Sequence, residues 1–400
     1  MSTIGVPLSD SLRTLLPGRK ETLFLQSCVL EGPELAAAWQ SWLVAVGDPL
    51  RYLAQEGHEL RSHLALLYRH LSEHSIGIPR ALQPYLRSAV VRGKLRYAQY
   101  EACLRDFLEA FRVAGIDATL VKGPAVSATE FSAEPFLRHC HDLDVLIDPD
   151  EVETASRELQ ARGYQRRWSR FGSTRLDHPM GLPVLLHTRL FQDPTYSLAP
   201  EPLWFRRREV TISTGSVRVL APADMLVHVC GHASTIQRRP HMNWVIDASR
   251  IAARMTARDW QQFLEVATAA RLSLPLAVLL GELATRYAVA VPHNVEEPLL
   301  AAATDVDREQ RFAAMEGARL GCPGGLRNLL GCSGWRSKLS VACGLALPPW
   351  SHMRSKHLGR TRPKVLSEYV VRPFRFVWSQ LTAQRASAVP VKEPLGSPKT

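Results

Sequence analysis

"RHCHDLDVLIDPDE", residues 138–151, sets two aspartates one residue apart in an apolar run, just ahead of a helix-start signal. Buried carboxylates are costly unless something positive meets them. On a strand, residues two apart share a face. Asp142 and Asp144 therefore project side by side, while Leu143 and Val145 face the other way. Parallel carboxylates repel, and a divalent cation between or beside them relieves the repulsion. The same spacing also occurs in plain surface loops, so the neighbours have to decide.

Upstream, "DATLVKGPAVSA" reads as a short strand, a Gly-Pro turn and the start of a helix. A glycine at Gly123 lets the backbone approach a ligand closely, and the helix N-terminus beyond it favours an anion such as phosphate. Lys122 can contact phosphates there or reach out to solvent. Arg138, four residues before Asp142, can pair with a phosphate or brace a carboxylate. Downstream, Asp148-Pro149-Asp150-Glu151 supplies an N-cap, a first-turn proline and a capping glutamate. The helix that follows carries Val152, Ala155 and Leu159 and stops at Gly163. A strand, a glycine turn, a helix and then a strand bearing Asp-x-Asp is the pattern of metal-dependent nucleotidyl transfer. In that chemistry cations polarise the α-phosphate, and positioning with charge neutralisation does most of the work.

Helical patterns flank this segment. Tyr97, Tyr100, Leu104, Phe107 and Phe111 recur three and four residues apart, and Gly115 ends that helix. "YQRRWSRFGSTRLDHPMGLPVLLHTRL" reads as two or three strands separated by Gly and Pro turns. From Pro222 the chain reads as helix again, continuing through Trp244–Met255 and Trp260–Tyr287.

Hydrophobic content of 46% and charged content of 22% suit a globular chain of 400 residues with a sizeable core. No stretch approaches the ~20 apolar residues of a membrane span. The first residues lack a basic start followed by an apolar block, so no signal peptide is expected. Seven cysteines without regular spacing suggest no disulfide framework, and a reduced, cytoplasmic protein is expected. The net charge of +11 is concentrated late: from Trp350 onward ten Lys or Arg stand against two Glu. That basic segment interleaves Arg354, Lys356, Arg360, Arg362, Lys364, Arg372 and Arg375 with Tyr369, Phe374, Phe376 and Trp378. Such a mixture can bind RNA, lie on an anionic surface or pack on the protein itself. The stretch after Arg385 reads as a disordered end.

Taken together, "LVKGPAV", "RHCHDLDVLID", "L…ARGY", "VLLHTRL", "LAPADMLVHVCGHAS…WVIDASRI" and "PPWSHMR…EYVVRPF" resemble the uncharacterised nucleotidyltransferase family of the polymerase-β-like superfamily. The likeness runs from the N-terminal helices to about residue 378. It implies an α+β fold, with a small polymerase-β-like α/β core at 115–220 between helical regions at 1–114 and 221–345. A basic segment, 346–400, then closes the chain. It further implies transfer of a nucleoside monophosphate from a nucleoside triphosphate to an acceptor hydroxyl, with Mg²⁺ or Mn²⁺ held by Asp142 and Asp144. Lys122, Gly123, Arg138 and His187 would bind the nucleotide. The acceptor could be a sugar, a small metabolite, a peptide side chain or an RNA end.

One position departs from the family. Members commonly carry an acidic residue two before the histidine of the third-strand motif, where it joins the metal site and helps deprotonate the attacking hydroxyl. In "VLLH" that position is Leu185. Asp177 and Asp193 flank the strand, and Asp247 in "WVIDASRI" is the expected substitute, with a helix-surface or capping acid as the plain alternative. A rival reading follows: a degenerate nucleotidyltransferase that binds a nucleotide or partner without catalysis.

The remaining histidines have plainer explanations. His139, Cys140 and His141 invite a zinc site, but adjacent strand residues point to opposite faces and no second pair has ligand spacing. His228 and His232 lie one helical turn apart without the glutamate of a zinc protease between them. His187 can orient a phosphate or hydrogen-bond beneath the sheet.

Overall fold

The N-terminal helices follow from apolar residues recurring at helical spacing. α1 (Arg19–Val29), α2 (Gly32–Val46) and α3 (Pro49–Gln55) bury Phe24, Trp39, Trp42 and Tyr52 together. The Trp39 and Trp42 rings stack 5.2 Å apart, and Phe24 meets Trp42 edge-on at 5.4 Å. The buried Trp39 Nε1 donates to the Gly77 carbonyl at 2.9 Å, which satisfies that indole, whereas the buried Trp42 Nε1 has no partner. α4 (Leu64–Glu73) then leads to α5 (Gln83–Ala114), a 32-residue helix. α5 buries Tyr100, Leu104, Phe107 and Phe111 as one face and ends where Gly115 turns left-handed at φ 68°. Four of the five residues in the sequence pattern are buried, Tyr97 is half-buried, and the stop is the one that the pattern indicates.

The computed structural model describes residues 16–170, 172–178, 182–191, 198, 200–236 and 242–303, with single positions at 335, 339 and 371. The basic segment 346–400, apart from position 371, and Asp193 therefore lie outside the described residues.

A mixed seven-stranded sheet follows α5. β1 (Thr119–Leu120) leads into α6 (Lys122–Thr129), and β2 (Leu143–Leu146) into α7 (Val152–Ala161). β3 (Gln165–Arg170), β4 (Ser173–Asp177) and β5 (Val184–His187) form an antiparallel run. After α8 (Pro200–Arg206), the hairpin of β6 (Arg208–Ile212) and β7 (Gly215–Val219) completes the sheet in the order β3-β4-β5-β2-β1-β7-β6. β2 sits centrally, antiparallel to β1 and parallel to β5. Its Leu143 and Val145 are fully buried on one face. Each contributes about 1.5–3 kcal/mol, which holds the strand while Asp144 occupies the opposite face.

The helices after the sheet are α9 (Pro222–Ile236), α10 (Asn243–Ala252), α11 (Ala257–Ala269), α12 (Ser273–Tyr287) and α13 (His293–Ala303). α9 packs against α6, α10, α11 and α12. The two helical regions also meet each other, with the Gln26 amide donating to the Arg286 carbonyl at 2.7 Å. The architecture is α+β, as the sequence implied. No helix among the described residues is long and apolar enough to cross a membrane.

Three local readings need correction. The Gly-Pro pair does not make a turn: α6 starts at Lys122, and Pro124 sits in its first turn, where no amide donor is missed. The pattern over Trp260–Tyr287 is two helices, separated where Arg271 takes a φ of 59°. The β6–β7 hairpin was not read from the sequence, although Val217 and Val219 alternate onto a buried face beside the half-buried Val210 and Ile212.

Candidate active site

The site forms where the carboxylate face of β2 meets α6, α9 and α10. Asp144 lies within β2 and is 3% exposed, and Asp142 precedes the strand by one residue on the same face. Lys122 Nζ donates to Asp144 Oδ1 at 2.7 Å. His187 Nε2 lies 2.6 Å from the same oxygen, and Ser173 Oγ lies 2.8 Å from His187 Nδ1. Burial and the Lys122 charge lower the His187 pKa, so the ring is neutral. We assign the tautomer from this network: Nε2–H donates to Asp144, and Nδ1 accepts from the Ser173 hydroxyl. Strand register explains why these groups converge. Leu146 pairs with His187 on β5, and His187 pairs with Ser173 on β4.

The two aspartates ionise differently. Burial works against ionised Asp144, yet the Lys122 ammonium and the His187 hydrogen bond hold its carboxyl well below the usual range. Burial and the neighbouring Asp144 charge push Asp142 up to about 7, although Lys122 and Arg175 pull the other way. A cation beside Asp142 would relieve this repulsion.

The donor set suits a hard divalent cation. Mg²⁺ is commonly bound through one or two carboxylates, with substrate phosphates and water completing its shell. Asp142 and Asp144 supply that number. Among the described residues, no group of three or more His, Cys, Asp or Glu side chains is arranged to hold a metal. The His139-Cys140-His141 run therefore does not build an all-protein zinc site. Its two imidazoles instead meet edge to face at 4.2 Å.

Lys122 adopts a left-handed backbone, φ 53°, which costs a side-chain-bearing residue about 1–2 kcal/mol. The strain aims the ammonium at Asp144 from the first residue of α6. Gly123 beside it packs tightly against two side chains of the site. A Cβ there would stand 3.3 Å from Cys140 Sγ and 3.5 Å from Arg138 Nη2. The close approach is thus to Arg138 and Cys140.

Arg138 and Asp247 form a bidentate ion pair, Nε to Oδ1 and Nη2 to Oδ2, each at 2.7 Å. Arg138 also donates to the His139 carbonyl. Both side chains are at least nine-tenths buried, and both line the cavity. Asp247 was expected as a substitute for the third carboxylate. It reaches the site, but both of its oxygens are engaged by Arg138, which makes it the brace of that guanidinium. Asp177 is likewise engaged, by Arg167 at 2.5 Å and Arg175 at 2.9 Å.

The cavity, about 220 Å³, is lined by Lys122, Gly123, Arg138, His139, Cys140, His141, Asp142 and Asp144 from the sheet side. Val229, His232 and Ala233 of α9 and Asn243, Trp244 and Asp247 of α10 close it. His232 therefore faces the site. His228 lies beneath, with its ring 5.7 Å from Phe191, and burial lowers its pKa to about 3. Ser173, Arg175, Asn243 and Trp244 were missed by sequence reasoning. Their relation to the aspartates depends on strand register and on helix packing across about one hundred residues, and neither leaves a local signal.

A family model described as an uncharacterised nucleotidyltransferase matches residues 60–288, more than half of the chain. The match spans every residue of this cavity. No curated protein matches the chain.

Proposed function

The chain belongs to the uncharacterised nucleotidyltransferase family, and we propose that its cavity transfers a nucleoside monophosphate from a nucleoside triphosphate to an acceptor oxygen, aided by Mg²⁺ or Mn²⁺. The observation that carries this reading is the juxtaposition of Asp142 and Asp144 beside a lysine at a helix N-terminus. Asp142 and Asp144 would hold the ion, which neutralises charge on the phosphates when bound.

The chain's own residues do the rest. The amides of α6, with the Lys122 ammonium, receive the triphosphate, because a helix N-terminus carries partial positive charge and unpaired donors. Lys122 and His187 keep Asp144 ionised. Ser173 fixes the His187 tautomer. Arg138, held by Asp247, presents a buried guanidinium at the cavity wall and so adds a fixed positive charge facing the phosphates. The four described free cysteines, Cys28, Cys103, Cys140 and Cys230, suit work in the reducing cytoplasm. The basic segment 346–400 would add contact with an anionic partner such as RNA.

The test is transfer of label from each α-labelled nucleoside triphosphate into a cell extract, with Mg²⁺, with Mn²⁺ and with chelator. Label that needs the divalent ion is expected. A second reading, nucleotide binding without turnover, is favoured by Leu185 alone. It predicts metal-dependent nucleotide binding with no label transferred under any of these conditions.

A further inference from the structure

We propose that α5 is the contact between two copies of this chain, packed antiparallel about a two-fold axis beside Ala98. Along this 32-residue helix, Pro84, Val91, Leu95, Ala98, Ala102 and Val113 are all exposed. At about 100° per residue they fall in one stripe about 60° wide. Val91 is 58% exposed, Leu95 68% and Val113 60%. A single exposed aliphatic needs no explanation, but three on one line of one helix form a seam. The opposite side of α5 is buried and supports the cavity. There Gly93, Tyr97 and Tyr100 share a small crevice with Arg138, His139 and Cys140. The stripe therefore faces away from the site.

The charges beside the stripe identify its occupant. Residues 83–98 carry Arg87, Arg92, Lys94 and Arg96 and no acid, whereas residues 99–114 carry Glu101, Asp106 and Glu109 with Arg105 and Arg112. Such a helix complements itself when reversed. With the axis between Ala98 and Gln99, Leu95 falls opposite the second copy's Ala102, and Pro84 opposite its Val113. On one side of the stripe, Arg87 and Lys94 come within two residues of direct opposition to Glu109 and Glu101 of the second copy. On the other side, Arg92 lies next to the second copy's Asp106, which falls opposite Val91. A two-fold axis perpendicular to both helices keeps each side with itself, so every pairing is made twice. Within one chain, Arg87 donates to the Tyr68 hydroxyl, Arg92 donates to Ser88 Oγ, and Lys94 lies over the Phe136 ring. Among the described residues, no carboxylate pairs with these three cations.

A nucleic acid or an anionic membrane would suit the first half of the helix but would run onto Asp106 and Glu109 along the same stripe. A second copy satisfies both halves. Exposed ion pairs contribute little to affinity, so the apolar seam holds the two copies together while the charges fix direction and register. A parallel arrangement would set the four cations against each other, and the charge pattern selects against it.

The experiment is sedimentation equilibrium of the full-length protein from about 1 to about 100 μM, where a reversible dimer is expected. Leu95→Asp, at an exposed position that leaves the circular dichroism unchanged, is expected to raise the dimer Kd at least about thirty-fold. Arg92→Glu and Asp106→Arg are each expected to raise it about ten-fold, and the two together to restore it to within about three-fold of the wild type. A wild type that stays monomeric throughout would overturn the proposal, whether or not it binds RNA or anionic vesicles. A dimer unmoved by Leu95→Asp would overturn it by placing the contact elsewhere. A double variant no tighter than either single one would overturn the antiparallel register. None of these outcomes bears on label transfer by the cavity, which stands or falls separately.

Discussion

Arg138 and Asp247, 109 residues apart in the chain, meet in a two-point ion pair at the wall of the cavity, with both nitrogen–oxygen distances at 2.7 Å. The pair ties the segment entering β2 to α10. Removing one partner would leave the other charged and buried, which typically costs about 3–5 kcal/mol. Asp247→Ala is therefore expected to destabilise the protein by that amount in urea unfolding, and Asp247→Asn by clearly less. Equal losses in the two variants would show that the pairing charge matters little.

Lys122 is expected to matter for transfer. Lys122→Met keeps an apolar stem but removes the ammonium from Asp144 and from the triphosphate. A fall of about 10²-fold in kcat/KM is expected, the usual scale for losing one preorganised electrostatic group. Steady-state kinetics of purified wild type and variant decide this. Unchanged kcat/KM would remove Lys122 from the site.

Ser173 acts through His187. Ser173→Ala deletes the 2.8 Å contact that fixes the ring, at a stability cost of about 1 kcal/mol. Kinetically it should be milder than Lys122→Met, a few-fold in kcat. Thermal unfolding and kcat, measured together, test the order of the two variants.

His63 should make the protein acid-sensitive. Burial, followed by the Arg138 charge, lowers its pKa from 6.5 to about 3. The folded chain therefore keeps His63 neutral where the unfolded chain binds a proton. Stability contributed by this site is fully present above pH 6.5 and is lost as pH falls from 6.5 toward about 3, by up to about 1.4 kcal/mol per pH unit. Urea midpoints measured at pH 7.5, 6 and 5 (about one to one-and-a-half units apart) should fall less steeply for His63→Leu than for the wild type. Parallel slopes would contradict the assignment.

Much of the site's framework was legible in the sequence because its signals are local. The capping run at Asp148, the stop at Gly115 and the alternation that puts Asp144 opposite Leu143 and Val145 each act over a few residues. The Lys122–Asp144 contact was only half legible. A lysine before a glycine at a strand end suggests a phosphate site, but the left-handed backbone at Lys122 itself has no signature in residue type. Arg138 and Asp247 were both singled out, yet their union depends on how α10 packs. The β6–β7 hairpin pairs with β1 through Thr119 and Arg218, a register that no local pattern encodes.

The central claim is that Asp142 and Asp144 serve nucleotidyl transfer. It is tested most directly by offering the wild type and Asp142→Asn the same triphosphate labelled either at the α- or at the γ-phosphate, with Mg²⁺ and cell extract. The account predicts that α-label reaches an acceptor, that γ-label leaves in pyrophosphate, and that Asp142→Asn, still folded by circular dichroism, transfers neither. Equal transfer of α-label by wild type and Asp142→Asn would contradict it.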